Sequence, residues 1–199
     1  LSPNNSEVYA AYAQYLRWVG RYEDGITIAK RAIELDPITP ITSLWLGAIY
    51  FYSGRYDESI EHLKHVLDLD SNFIYAYTHL AFNYALKDSY PEAIHYADKA
   101  MSILGDKKSD PISLSALGFV YARSGEINKA MEILKQIEEL QENTTGDPIR
   151  LAIVYAGLNQ KEKVFDNLLK AYQIRSGQII YLKAFGDSFF KDISSDPRY

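Results

Sequence analysis

The sequence predicts an all-α fold built of repeated helix pairs, on three observations. A leucine followed by a small residue returns at Leu46-Gly47, Leu80-Ala81, Leu117-Gly118 and Leu151-Ala152, at intervals of 34, 37 and 34 residues. Tyr50, Tyr84, Tyr121 and Tyr155 keep the same intervals. Within each period, apolar residues fall at helical spacing, as in Ile26, Ala29, Ala32 and Ile33, then Ile60, Leu63, Val66 and Leu67. A fixed period of this length marks stacked supersecondary units, none of which buries its apolar face alone.

Each unit reads as two helical patterns around a short turn, for example 46–52 and 56–69 on either side of Ser53-Gly54-Arg55. The small residue after each leucine suits a point where two helices cross, because a larger side chain would force the axes apart. Gly20, Gly54 and Gly125 fall between helices, where a left-handed backbone is easy for glycine, and Asp88 and Asn159 take that place elsewhere. Gly25 departs from the pattern: it stands inside a helix where alanine would serve better by about 1 kcal/mol.

Composition narrows the functional classes. With 47% hydrophobic residues, the 199-residue chain has enough apolar material for a substantial core. Its net charge of -5, from 21 Lys and Arg against 26 Asp and Glu, argues against direct binding to nucleic-acid phosphates. The absence of cysteine excludes a disulfide framework, a thiolate metal site and a cysteine nucleophile. No run approaches the roughly 20 apolar residues that cross a bilayer, so membrane insertion is not expected and a cytoplasmic location is. The start at Leu1-Ser2-Pro3 suggests an excised domain or a processed product.

These residues resemble the tetratricopeptide repeat (TPR) family, whose units carry a Leu-Gly pair, a downstream Tyr, a turn Gly, two small residues and a closing Asp-Pro. A first unit near 6–39 has Tyr9, Ala13, Gly20, Tyr22, Ala32 and Asp36-Pro37, and further units lie near 40–73, 74–107, 111–144 and 145–176. The resemblance implies a right-handed superhelical solenoid of about five helix-turn-helix hairpins over 1–176. The polar stretch Gly105–Asp110 reads as a surface loop within it. Residues 177–199 break the pattern, and Phe185, Phe189, Phe190 and Ile193 are expected to cap the last hairpin. The ending Asp196-Pro197-Arg198-Tyr199 is similar to the ends of repeat domains in bacterial multidomain regulators.

In this family the first helices of successive hairpins line a concave surface. Carrying the family's inward positions across nominates Gln14, Arg17, Trp18, Leu44, Trp45, Phe51, Tyr52, Tyr75, His79, Phe82, Phe119, Arg123 and Arg150 as a partner-binding groove. Such an aromatic, apolar surface is either a binding site or is covered by the chain itself. Some relatives grip peptide carboxylates with a Lys and Asn clamp, but Ala10, Gln14, Trp45, Tyr75 and His79 occupy those places here, which disfavours that ligand.

Catalytic and metal chemistry find no constellation. His62 and His65 are three apart on one helix, but two imidazoles on a solvated face do not make a site. There is no phosphate-cradling loop, nucleophile elbow or zinc-protease helix, so neither an enzyme nor a cofactor is expected. Asn4-Asn5-Ser6 and Asn143-Thr144-Thr145 meet the minimal glycosylation rule without further support. The expected function is a non-catalytic scaffold that holds a protein or peptide partner. The alternative is a sensory or regulatory module of a larger bacterial signalling or transcription-regulatory protein, controlling an attached output domain by self-association or ligand-dependent rearrangement, and a third possibility is homodimerisation through the apolar groove or the C-terminal cap.

Overall fold

The computed structural model describes residues 5–105, 110–142, 147–181 and 189–198. Residues 106–109 of the expected loop, the acceptor residues Asn4 and Asn143, and Phe185 of the expected cap lie outside them. Among the described residues there are ten α-helices and no strands. In chain order these are α1 (Ser6–Trp18), α2 (Tyr22–Leu35), α3 (Pro40–Tyr52), α4 (Tyr56–Leu69), α5 (Ile74–Leu86), α6 (Tyr90–Leu104), α7 (Pro111–Arg123), α8 (Ile127–Glu142), α9 (Ile149–Gly157) and α10 (Lys161–Gln173). The chain divides into two compact units, 1–83 and 84–199, with the division falling inside α5.

Local chemistry sets the helix ends. Asn5 caps α1 by accepting a hydrogen bond from the Val8 amide at 3.1 Å, and Asp110 caps α7 by accepting from the Ile112 amide at 3.0 Å. Pro40 and Pro111 open α3 and α7, where a missing N–H costs nothing. The turns at Gly20, Gly54 and Gly125 have φ of +76°, +78° and +83°, while Asp88 and Asn159 take +56°. Arg175 does the same after α10, at φ +54°.

In the first unit α3 touches α1, α2 and α4, so nearly its whole circumference is covered. Thr42, Ser43, Leu44, Leu46, Gly47, Ala48, Ile49, Tyr50 and Phe51 are all buried, whereas α4 buries only Ser59, Ile60, Leu63 and Val66 on one face. In this hairpin the first helix is thus core and the second is its outer wall. The crossing of α3 and α4 is close enough that a Cβ on Gly47 would come within 2.9 Å of the Leu63 side chain. A buried hydrogen bond fastens the same crossing, Ser59 Oγ donating to the Gly47 carbonyl at 2.8 Å.

The second unit repeats this plan. Helix α7 touches α6, α8 and α9, and α9 in turn touches α10. A Cβ on Gly118 would lie 2.8 Å from Val154, and one on Gly157 would lie 2.8 Å from the Phe119 carbonyl oxygen. Leu46, Leu80, Leu117 and Leu151 are all buried, the environment their spacing requires.

The recurring tyrosines have a physical role in the hairpin. Arg55 lies over the Tyr50 ring at 4.8 Å, Lys129 over Tyr121 at 4.9 Å and Lys163 over Tyr155 at 4.9 Å. A cation at the start of the second helix therefore seals the ring at the end of the first. Tyr121 also donates to Asp98 at 2.7 Å, and burial and that carboxylate together hold its hydroxyl protonated.

After α10 a 3₁₀ turn covers Gly177–Tyr181. Residues 189–198 form successive turns, with Phe190 and Ile193 buried. The Asp196-Pro197-Arg198 ending is a hook. Asp196 accepts from the Arg198 amide at 3.1 Å and from its guanidinium, which stacks on Phe165 at 4.0 Å and reaches both carboxylate oxygens of Glu162 at 2.9 and 3.2 Å.

Two glycine substitutions should move stability in opposite directions. At Gly25 a Cβ meets only ordinary contacts at 3.5 Å, so Gly25→Ala should stabilise by about 0.5–1 kcal/mol through backbone entropy. Gly157→Ala drives a methyl into backbone and should cost about 2 kcal/mol. Urea denaturation followed by circular dichroism measures both.

Candidate functional site

The first unit gathers most of its nominated residues into one cluster on α1, α3 and α5. Arg17 Nε donates to Gln14 Oε1 at 2.9 Å, which fixes the guanidinium plane. That plane lies 3.9 Å from the Trp18 ring centroid and 4.7 Å from that of Tyr52, while the two rings stand 6.2 Å apart. Tyr52 meets Phe51 edge-on at 5.1 Å, and Phe51 continues to Phe82 at 4.9 Å and His79 at 6.3 Å. A chain of planar groups thus runs from Trp18 to His79 and Phe82.

Burial sorts these residues into a floor and a rim. Leu44, Phe51 and Phe82 are 2%, 2% and 4% exposed, so they are packing residues and not free contacts. The reason is that α3 and α5 are covered on most sides, so a position that faces inward in a single hairpin faces a neighbour in the array. Trp18, Trp45, Tyr52, Gln14 and His79 are half-buried, and Tyr75 is exposed with its ring edge against Phe73. Arg17 is 6% exposed, and its positive charge is held by ring faces.

Polar satisfaction in this cluster is incomplete. Gln14 Nε2, His79 Nδ1 and Asn83 Oδ1 are buried with no hydrogen-bond partner among the described residues. Burial pushes the His79 pKa down to about 4, and the nearby positive charge of Arg17 adds to the shift. His79 is therefore neutral in the folded chain at pH 7.

In the second unit the nominated residues are in different company. Phe119 is 2% exposed and meets Phe189 edge-on at 5.2 Å, and Arg123 pairs with Asp192 at 3.0 Å. Both are engaged by the chain's own C-terminal segment. Arg150 is half-buried at the start of α9. Spacing could not reveal that engagement, because Arg123 and Asp192 are 69 residues apart.

The paired histidines do not converge on a metal. His62 Nε2 lies 2.9 Å from the Ser43 carbonyl and His65 faces Asp68 at 3.8 Å. Among the described residues no group of three or more potential ligands gathers, and no helix is long and apolar enough to cross a membrane.

Two family models match the chain, one described as TPR repeat over residues 47–88 and one as tetratricopeptide repeat over 71–107. Residues 47–107 therefore match tetratricopeptide repeats. A relative, the TPR repeat-containing protein YpiA of Bacillus subtilis, is 23% identical over 133 residues, or 66% of this chain. The chain spans 30% of the length of YpiA. Among solved structures, a thermophilic TPR protein of Thermus thermophilus superposes with a TM-score of 0.69 at 21% identity, covering 90% of this chain and 96% of that one. YrrB, a TPR protein with an unusual peptide-binding site, gives 0.52 at 18% identity, covering 92% and 93%. These likenesses establish the TPR fold.

The lowered His79 pKa sets the direction of a pH effect. The unfolded chain binds the proton near pH 6.5 and the folded chain only near pH 4, so stability is lost as pH falls through that window. The expected loss from this group is on the order of 3 kcal/mol at most. His62, also lowered by burial, adds to the same slope. His79→Gln should therefore flatten the decline between about pH 6.5 and about pH 4 without abolishing it, as measured by urea midpoints.

Proposed function

We propose that the first unit holds a peptide or partner-protein segment on the half-exposed rings of Trp18 and Tyr52. The observation that carries this reading is the Arg17 guanidinium packed against both rings, which gives a rigid aromatic platform with a fixed positive charge in its floor. Aromatic and arginine side chains with few rotamers to lose are the usual energetic anchors of protein interfaces. Trp45 and Tyr75 lie along the same inner helices and would extend the contact. The TPR fold supports a scaffold of this kind, and the peptide-binding site of YrrB is an instance on the same fold.

The scaffold acts by positioning. Its rings supply area, Arg17 favours an acidic or planar side chain, and the buried polar atoms of Gln14 and His79 offer hydrogen bonds to a segment that shifts the rim. A second copy of the chain is the competing occupant, and light scattering across concentration distinguishes it.

A peptide library displayed on phage and selected on the immobilised chain tests the platform. Selected peptides should bind the Trp18→Ala, Tyr52→Ala variant at least about 30-fold more weakly, as loss of a central anchor requires. Equal binding with an unchanged helical spectrum would place the interface elsewhere. Arg17→Lys keeps the charge but loses the stacked plane, and should weaken binding by about tenfold.

A further inference from the structure

Residues 189–198 do more than close the end of the second unit. A segment serving only as a cap would cover the outer face of the last helix, yet Leu169 and Tyr172 on α10 are 57% and 70% exposed, and Ile174 beyond it is 59% exposed. Besides its contacts with Glu162, Phe165 and Val164 on α10, the segment reaches α7. Phe189 meets Phe119 at 5.2 Å and Asp192 pairs with Arg123 at 3.0 Å. By the repeat interval, Phe119 and Arg123 stand where the first hairpin has Gln14 and Trp18 and the second has Ala48 and Tyr52. The family resemblance nominates these register positions as partner-facing, so on that reading the segment lies where a ligand would.

We propose that this face of α7, α9 and α10 is a docking surface for a partner segment of the pattern aromatic–aromatic–any–acid–aliphatic, and that Phe189–Ile193 occupies it in competition with that partner. The pattern is read from the contacts. The first aromatic stacks on Phe119, the second is buried beside Val164, the acid meets Arg123, and the aliphatic residue is buried in the same cleft. What holds the segment suits exchange. Its two ion pairs, Arg123 with Asp192 and Arg198 with Glu162, are exposed to water, with side-chain exposures of 32% and 61%, then 47% and 79%. Pairs of that kind contribute little each, which leaves Phe190 and Ile193 as the main anchors. An attached segment competes at an effective concentration on the order of millimolar, so a free partner succeeds only by matching the pattern better or by binding when the segment is released. This rests on the same reading of the partner-facing register, but none of these residues belongs to the Trp18 and Tyr52 platform, so the two tests fail separately.

The test uses the full chain and a fluorescent peptide with the sequence of residues 189–198, followed by anisotropy. Wild type should bind it at least about tenfold more weakly than the Phe190→Ala, Asp192→Lys variant, whose own segment has lost its largest anchor and its ion pair. If that variant fails to fold, Arg123→Glu keeps the test alive, since it leaves Phe190 and Ile193 in place. Arg123→Glu should prefer a peptide carrying Asp192→Lys over the wild-type peptide by at least about fivefold, and wild type should not. Folded variants that bind the peptide no better than wild type, or an Arg123→Glu chain indifferent to the swap, would overturn the proposal. So would a wild-type chain that dimerises with rising concentration and loses its dimer in the Phe190→Ala, Asp192→Lys variant, because the occupant would then be a second copy.

Discussion

Helices in this chain approach one another as closely as their small residues allow, and most other features follow from that constraint. At Gly47, Gly118 and Gly157 even one added carbon would meet a neighbouring helix at 2.8 to 2.9 Å. Such close crossing brings α3 into contact with its own second helix and the preceding hairpin, and α7 with its own second helix and the hairpins before and after it. The first helices therefore become core. Their apolar residues cannot all face a groove, and Leu44, Phe51, Phe82 and Phe119 are drawn into packing. Larger side chains at the edge of that covered surface, such as Trp18, Trp45 and Tyr52, remain partly open.

The same constraint explains how charge is handled. Lys129 and Lys163 on second helices, and Arg55 just before one, sit over tyrosines of first helices, so the polar wall and the aromatic core are joined by cation–π contacts. Arg17 reverses the arrangement by placing the cation on a first helix, against two rings and beside a histidine that burial keeps neutral. A cation in that position gives the first unit a chemistry that the repeat pattern does not supply. The second unit has Arg123 at a comparable edge, and there the carboxylate of Asp192 answers it.

Much of the fold was legible because it rests on local and periodic signals. The leucines at 46, 80, 117 and 151, the left-handed turn positions and the amphipathic second helices each follow from spacing or from the conformational reach of one residue type. Arg175 was not legible in this way, since arginine carries no preference for the left-handed region it adopts. Gly157 also escaped notice. It lies outside the Leu-small pair, and its importance comes from the Phe119 carbonyl on another helix.

For the candidate site, sequence determined which residues lie on first helices and the chemistry they bring: aromatic, apolar and cationic. Tertiary structure decided which of them are floor and which are rim, because exposure depends on how many neighbouring helices cover a position, and no periodicity encodes that. It also decided that Phe119 and Arg123 are already engaged, since their partners Phe189 and Asp192 come from a non-repeating segment about 70 residues downstream. Contacts of that range depend on chain closure and shape complementarity, which only the folded molecule specifies.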